Sequence, residues 1–383
     1  MKVLLLLTYY WPHRTGLTRY VQYLAEDLVS RGHEVTVLTS RFLDSLPRDQ
    51  TMNGVRVVRL RTVARVSRGQ IMPGFPMAAH ELIKQHDVVN IHAPMLEAPL
   101  AAIMARRLHR GVVITHHGDL ELPAGPLNSF IRVVMDRLFH IAADNAHHIV
   151  ALSDDYAEHS RYIQPHIGKT TVLYPPVRLP EPSKGGRERL RHRLGVDSKP
   201  LIGFSGRFVE EKRPDLLLRA LPRLDAIVPG AQVAFAGQYI MPYEKYYERH
   251  VGLVERYRDR THFLGMIEDD YELADFYSAC DVLALPSGTD NFPLVQVESM
   301  LCGTPVVASD IPGAREAVRV SGMGEIIRPR DSLALANGLA QVILNRDKYV
   351  KPREEIARIF SFERTMNGYD ALLTDAAERA RNP

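Results

Sequence analysis

Cysteine is almost missing from the 383 residues, with Cys280 and Cys302 the only two. A pair so placed gives neither a disulfide framework nor a zinc-ligand spacing, and it fits a reducing, cytoplasmic setting. Long apolar runs are missing too, since none approaches the ~18 residues that a membrane span needs. The opening Met1-Lys2-Val3-Leu4-Leu5-Leu6-Leu7 breaks at Thr8-Tyr9-Tyr10-Trp11-Pro12. It is too short and ends too polar for a signal peptide, so a buried first strand is expected. No Gly-x-Gly-x-x-Gly follows that strand or occurs elsewhere, which disfavours a dinucleotide dehydrogenase. There is neither an internal repeat nor a low-complexity segment. Charge of one sign is scarce as well: a net +3 is too little to argue nucleic-acid binding.

What is present is an ordinary globular composition, 45% hydrophobic and 24% charged, long enough for two domains of ~150 residues or more. Charge and histidine are unevenly spread. Residues 1–180 hold 20 Lys+Arg, 15 Asp+Glu and 13 of the 16 histidines; residues 181–383 hold 28 Lys+Arg and 30 Asp+Glu. A mildly basic first half suits an anionic substrate or a membrane surface. Short Val/Ile/Leu runs alternate with amphipathic segments. Strands are expected at Val3–Leu7, Glu34–Leu38, Val55–Leu60, Val88–His92, Val112–His116, Ile149–Leu152 and Thr171–Leu173. Helices are expected between them at Leu17–Val29, Met77–Lys84, Leu100–Leu108, Ser129–Ala143 and Asp155–Ile163. The pattern stops at Tyr174-Pro175-Pro176-Val177 and restarts with Leu201–Ser205, Gln232–Ala236, Thr261–Leu264, Val282–Leu285 and Pro305–Ala308, ending in a helical stretch, Phe362 to Arg381. Such alternation means α/β: two doubly wound, Rossmann-like parallel-sheet domains facing a cleft.

The most informative stretch runs from Ser287 to Ser309. A buried strand enters a Ser/Gly/Asp turn and then a helix that Asn291 can cap, with Pro293 tolerated in its first turn. Free amides around Leu294 and Val295, with the helix dipole, make an anion site at the strand's C-terminal end. Asp290 sits in the turn, and Glu298 follows eight residues later, one to two turns into the helix. The plainer reading of these acids is a cap and an exposed helix glutamate. A second element is Gly203-Phe204-Ser205-Gly206-Arg207, followed by Glu211-Lys212, with Lys212 expected at the start of the next helix. Arg207 and Lys212 could together neutralise a diphosphate leaving group without a metal; solvated loop charges are the alternative.

Together these stretches resemble the retaining family 4 glycosyltransferases. Asp290 and Glu298 match that family's acid-x7-acid signature, including the tail Gly303-Thr304-Pro305-Val306-Val307-Ala308, although the first acid is usually Glu. The resemblance implies a GT-B fold, with an acceptor-binding domain at 1–178, rejoined by a C-terminal helix at about 362–383, and a donor-binding domain at 179–361. It implies Glu298 as the ribose ligand and Asp290 as the sugar-facing acid, with Phe292, Asn291, Leu294 and Val295 around them. Gly206, Arg207 and Lys212 become the diphosphate clamp, Gly237 lines the same edge, and Met266, after Phe263-Leu264-Gly265, adjoins the base. In the first half His117, the second histidine of Val113-Ile114-Thr115-His116-His117-Gly118-Asp119, is placed beside the donor sugar, with His116 turned to the other side. Thr15-Gly16 corresponds to a Gly-rich loop that is normally Gly-Gly, with Gly16 standing where backbone meets phosphate or sugar.

The implied activity is transfer of a hexosyl group from a nucleoside diphosphate sugar, UDP-sugar favoured, to a hydroxyl of a glycan or lipid-linked acceptor. No cofactor is expected. No metal is expected either, since Asp-x-Asp is absent and Glu268-Asp269-Asp270 reads as a helix N-terminus. Two alternatives stay open: a nucleotide-sugar epimerase on the same architecture, and a non-catalytic nucleotide-sugar binder. Gln50 to His80 contains no acid and five arginines, Arg56, Arg59, Arg61, Arg65 and Arg68. A solvated strand edge and loop is the plainer expectation. The sharper one is a face that approaches anionic lipid, at the inner side of a membrane.

Overall fold

The structure is a computed structural model that describes all residues except 67–68, 121–124, 242–243 and 383. The chain forms two units, Met1–Pro176 with Phe362–Pro383, and Val177–Ser361. The break falls within Tyr174-Pro175-Pro176-Val177, where consecutive prolines remove the amide donors that another strand would need.

Ten strands build the first unit: β1 (Lys2–Leu6), β2 (Glu34–Arg41), β3 (Asp49–Met52), β4 (Val55–Arg61), β5 (Ala64–Val66), β6 (Gly69–Ile71), β7 (Val88–Ala93), β8 (Gly111–His116), β9 (His148–Ala151) and β10 (Thr170–Val172). Eight of them form one sheet in the order β10-β9-β8-β7-β1-β2-β4-β3, while β5 and β6 make a separate hairpin. The central strands β7 and β8 are buried along their whole length, as a parallel sheet covered on both faces requires. Strand β3 runs antiparallel to β4 and was not expected. Its Asp49-Gln50-Thr51-Met52 is polar because an edge strand faces water. The helix expected to Ile163 stops at His159, and a 3-10 turn, Gln164–Lys169, follows.

The second unit contains β11 (Leu201–Ser205), β12 (Gln232–Ala236), β13 (Thr261–Gly265), β14 (Val282–Leu285), β15 (Val306–Ser309) and β16 (Gly324–Ile327), in the order β13-β12-β11-β14-β15-β16. All their pairings are parallel. On one face Leu217, Leu221, Leu335 and Leu339 from two helices pack against Phe204, Val233, Phe235 and Val307. On the other, a Cβ at Gly203 would come within 2.6 Å of Cys280 Sγ. That buried free thiol is used as a small apolar group. Strand β16 also went unexpected, since two glycines and Glu325 interrupt the apolar signal around it.

The C-terminal helix Phe362–Arg381 belongs to the first unit and lies across β8. Tyr369 on it meets Thr115 Oγ1 at 3.0 Å and the hydroxyl of Tyr20. His33 Nε2 lies 2.9 Å from Asp370 Oδ1, and Arg31 donates to Asn367 at 2.6 Å. Gly111 makes the close approach possible, because a Cβ there would stand 2.7 Å from the carbonyl carbon of Ala376. We predict that Gly111→Ala lifts this helix and costs about 1–3 kcal/mol, the usual range for overpacking. Thermal unfolding should show a Tm several degrees lower, and an unchanged Tm would mean that the helix is not seated on β8.

Candidate functional site

Parallel sheets offer ligands the carboxyl ends of the strands on either side of the point where strand order reverses. In the second unit that point is β11/β14, because β11 pairs with β12 on one side and with β14 on the other. Residues just past the strand ends therefore form a row: Gly265-Met266 after β13, Gly237 after β12, Gly206-Arg207 after β11 and Ser287–Asp290 after β14. Strands repeat every 4.7–4.9 Å, so the row from Met266 to Gly206 spans about 10 Å. Met266 is 46% exposed at the far end. Gly206 and Gly237 have φ of +146° and +134°, and a Cβ at Gly237 would lie 2.2 Å from the Gly206 carbonyl oxygen. Only glycine fits there, and the backbone itself is the surface a ligand would meet.

Two loops are tied together over this edge. Arg207 donates to Glu211 Oε1 at 2.8 Å, the Gly288 amide donates to the Glu211 carbonyl at 2.8 Å, and Lys212 Nζ donates to Asp290 Oδ2 at 2.6 Å. The two cations thus stand at one edge, each beside a carboxylate. Lys212 closes a 3-10 turn, Glu210–Lys212, instead of starting the next helix as expected. Arg213 intervenes with φ +50°, and the helix starts at Pro214.

The helix after β14 spans Leu294–Leu301, and its N-cap position is Pro293, with no side-chain cap. The expected cap by Asn291 is therefore corrected. Pro293 is extended, which sets Asn291 back into the loop, where it is 8% exposed with Gly313 packed on its carbonyl. Phe292 is buried, with its ring edge toward Phe360 at 5.9 Å. The first amides, at Leu294 and Val295, have no intrahelical partner by geometry and sit at the positive end of the helix dipole. Glu298 is not an exposed helix glutamate but is 5% exposed. Its Oε2 accepts from the Tyr277 hydroxyl at 2.8 Å, and Ser205 Oγ lies 3.0 Å from the same hydroxyl. Burial, then the Glu298 charge, hold the Tyr277 phenol well above its ordinary pKa, so it stays a donor. Sequence reasoning missed Tyr277, Ser205 and Gln296, the last fully buried with no partner for its amide among the described residues.

In the first unit the reversal lies at β1/β7. Thr15 caps the helix Gly16–Ser30 in a reciprocal box with Thr18, which explains a threonine where the resemblance has glycine, and Gly16 is the first helical residue. His117 follows β8. Its Nε2 is 2.9 Å from Nδ1 of His92 on β7, and the Tyr20 ring meets it edge-on at 5.0 Å. His116 is turned elsewhere, with Nε2 at 2.8 Å from Asp119 Oδ1 and its ring stacked on Tyr162. His92 was missed, though a reader of the register could find it: Ala93 is opposite His116, so the ends of β7 and β8 must meet. Burial pushes His92 down to about 3, and burial followed by the charges of His92 and His116 holds His117 far below its usual value.

The arginine-rich face expected between Gln50 and His80 is corrected in two places. Arg59 is 2% exposed and donates to the Trp11 carbonyl at 2.9 Å, and Arg56 pairs with Asp49 at 2.7 Å, because β3 brings an acid beside β4. Arg61 and Arg65 are exposed; Arg68 lies outside the described residues. Asp269 caps the helix Asp270–Ala279, as expected for the acidic triplet. Among the described residues, no group of three His, Cys, Asp or Glu side chains is placed to hold a metal ion, and no helix is long and apolar enough to cross a membrane.

Family models match both units: Glycosyltransferase Family 4 over residues 14–180, and Glycosyl transferases group 1 over residues 186–358. A D-inositol 3-phosphate glycosyltransferase of Geodermatophilus obscurus is 34% identical, covering 95% of this chain and 85% of its own. A phosphatidyl-myo-inositol mannosyltransferase of Mycobacterium leprae is 27% identical over 99% of each. Among solved structures, a sucrose-phosphate synthase of Thermosynechococcus elongatus superposes with a TM-score of 0.79 at 21% identity, over 98% of both chains. The Anabaena HepE protein, in complex with UDP and glucose, gives 0.78 at 22%, covering 98% of this chain and 100% of its own.

The histidine pair has a thermodynamic consequence. Both imidazoles are neutral in the folded chain and regain an ordinary pKa of about 6.5 on unfolding. Below that pH the unfolded chain binds more protons, so stability falls as pH drops toward about 3. Each imidazole contributes up to about 1.4 kcal/mol per pH unit. We predict that Tm falls between pH 6.5 and 5, and falls less steeply in the double variant His92→Asn/His117→Asn. Equal slopes would show that the pair is not held neutral.

Proposed function

Because the chain belongs to the family 4, group 1 glycosyltransferases, we propose that it moves a hexosyl group from a nucleoside diphosphate sugar to a hydroxyl of a glycan or lipid-linked acceptor, retaining the anomeric configuration and using no metal. The fold is GT-B type and the chain is an enzyme, a glycosyltransferase. In this reading the second unit takes the donor and the first the acceptor, and UDP-sugars are the favoured donors. The names of the two relatives, an inositol phosphate glycosyltransferase and a phosphatidylinositol mannosyltransferase, support an acceptor hydroxyl next to phosphate or lipid.

The observation that carries the reading is the Lys212–Asp290 contact at the edge where Gly206 and Gly237 bare the backbone. The Lys212 ammonium has one Asp290 carboxylate oxygen beside it. A diphosphate offers it more charge, which frees Asp290 to accept hydrogen bonds from sugar hydroxyls. Glu298, oriented by Tyr277, accepts from the ribose hydroxyls, and the Leu294 and Val295 amides with Arg207 take up charge on the departing diphosphate. That diphosphate receives the acceptor's proton, while His117 contacts the sugar.

A second observation bears on the acceptor. On the helix Pro126–Asp144, Phe130 and Val133 are 67% and 63% exposed, with Val134 and Ile141 also exposed and Arg132 and Arg137 between them. Apolar anchors among cations suit an anionic bilayer surface better than the arginines of β4 do. Phe130→Glu should abolish flotation with vesicles containing phosphatidylglycerol while sparing donor binding; retained flotation removes this helix from consideration.

The donor site is tested by two substitutions. Glu298→Gln should weaken free UDP by roughly 1.5–3 kcal/mol, about ten- to a hundredfold, since a charge-assisted acceptor is lost. Asp290→Asn should cut transfer strongly while leaving calorimetric UDP affinity within about twofold. EDTA should not reduce turnover. Unchanged UDP affinity in Glu298→Gln, or full transfer by Asp290→Asn, would overturn the respective assignment.

A further inference from the structure

The pair His92–His117 carries more than burial. A hydrogen bond between two neutral imidazoles needs one N–H and one lone pair, so the 2.9 Å contact between His92 Nδ1 and His117 Nε2 ties their tautomers together. Either His92 donates from Nδ1 and His117 keeps its proton on Nδ1, or His117 donates from Nε2 and His92 keeps its proton on Nε2. The surroundings choose between them. His92 Nε2 is buried and has no hydrogen-bond partner among the described residues. Protonating it would strand a buried N–H donor, whereas leaving it bare strands only a lone pair, and orphaned buried N–H groups are the rarer fault in native structures. The hydroxyl of Tyr20, whose ring meets both histidines edge-on, is engaged by Tyr369 and does not relieve it.

We propose that His92 is a positioning residue whose Nδ1–H donates to His117 Nε2, which fixes His117 as its Nδ1–H tautomer and presents that N–H as a hydrogen-bond donor. The proposal rests, for its catalytic meaning, on the reading that His117 contacts the donor sugar. A donor at Nδ1 selects an oxygen lone pair on the sugar and leaves the imidazole unfit to take a proton there, so His117 binds and orients without acting as a base. The ring is held from behind by Tyr20, and Tyr20 by Tyr369 of the C-terminal helix, which also reaches Thr115 and through it Asn90 Nδ2 at 3.0 Å. The orientation of one imidazole at the edge of the sheet is thus set by four elements of the first unit.

The test is long-range proton–nitrogen NMR on the full-length protein carrying 15N-histidine, with the His117 signals assigned by their loss in His117→Gln. The expected result is a protonated Nδ1 and a bare Nε2 for His117 in the wild type, and averaged tautomers in His92→Phe. A wild-type His117 protonated on Nε2 overturns the proposal outright and needs no variant to fold. An unchanged His117 spectrum in folded His92→Phe overturns it as well. In transfer assays His92→Phe should lower kcat about 10–100-fold, the range seen when the partner that orients a metal-bound histidine is removed, with the affinity for free UDP unaltered. His92→Asn, which can place an amide N–H near the lost Nδ1–H, should recover most of that loss. If the tautomer shifts as expected yet kcat holds in both His92→Phe and His117→Gln, the positioning stands and it is the sugar contact that falls.

Discussion

Parallel pairing along β1/β7 and β11/β14 is the constraint on which the rest depends. Within a covered parallel sheet every strand amide and carbonyl is used by a neighbour, so the interior has nothing left to offer a ligand. Backbone groups come free only past the strand ends, and they diverge enough to admit a ligand only where the order reverses. Gly16 follows the reversal strand β1, and Gly206, Arg207, Asp290 and Glu298 follow the reversal strands β11 and β14, directly or on the next helix. Gly206 and Gly237 show how tight the result is, since backbone replaces side chain where the edge is narrowest.

Electrostatics then shape each edge in its own way. In the second unit the carboxylates Glu211 and Asp290 hold the cations Arg207 and Lys212 in place. Glu298 is kept in a nearly buried place by a phenol that cannot ionise beside it. In the first unit the pair at the edge is uncharged, with the Asp119 carboxylate turned to His116. Two imidazoles held neutral by burial face one another, backed by a network of Tyr20, Tyr369, Thr115 and Asn90. The second unit's edge therefore carries paired charges, and the first unit's a neutral imidazole pair.

The familiar signature also shows where local reasoning stops. Asp290 and Glu298 are eight residues apart, and a cap with an exposed glutamate was a fair alternative; burial of Glu298 against Tyr277 removes half of it. Asn291 had the right chemistry to cap a helix that begins three residues later, at Leu294, with proline in the capping place. The arginines of β4 looked like one basic face because β3, short and polar, gives almost no strand signal. Once β3 pairs with β4, Asp49 neutralises Arg56 and the side chain of Arg59 is drawn inward.

Periodicity, proline and glycine punctuation, and motifs local in the chain determined a good deal unaided: the α/β class, the break near Tyr174-Pro175-Pro176-Val177, and the glycosyltransferase family. These signals survive in one dimension because helices, caps and turns are built from residues within a few positions of each other. Tertiary structure alone decided which distant groups meet. Tyr277 with Glu298, Lys212 with Asp290, His92 with His117 and Tyr20 with Tyr369 are joined by strand order and register, which bring together residues from 21 to 349 positions apart. No local pattern encodes such distances, because a parallel sheet places neighbours side by side only after a crossover of a dozen or more residues has closed.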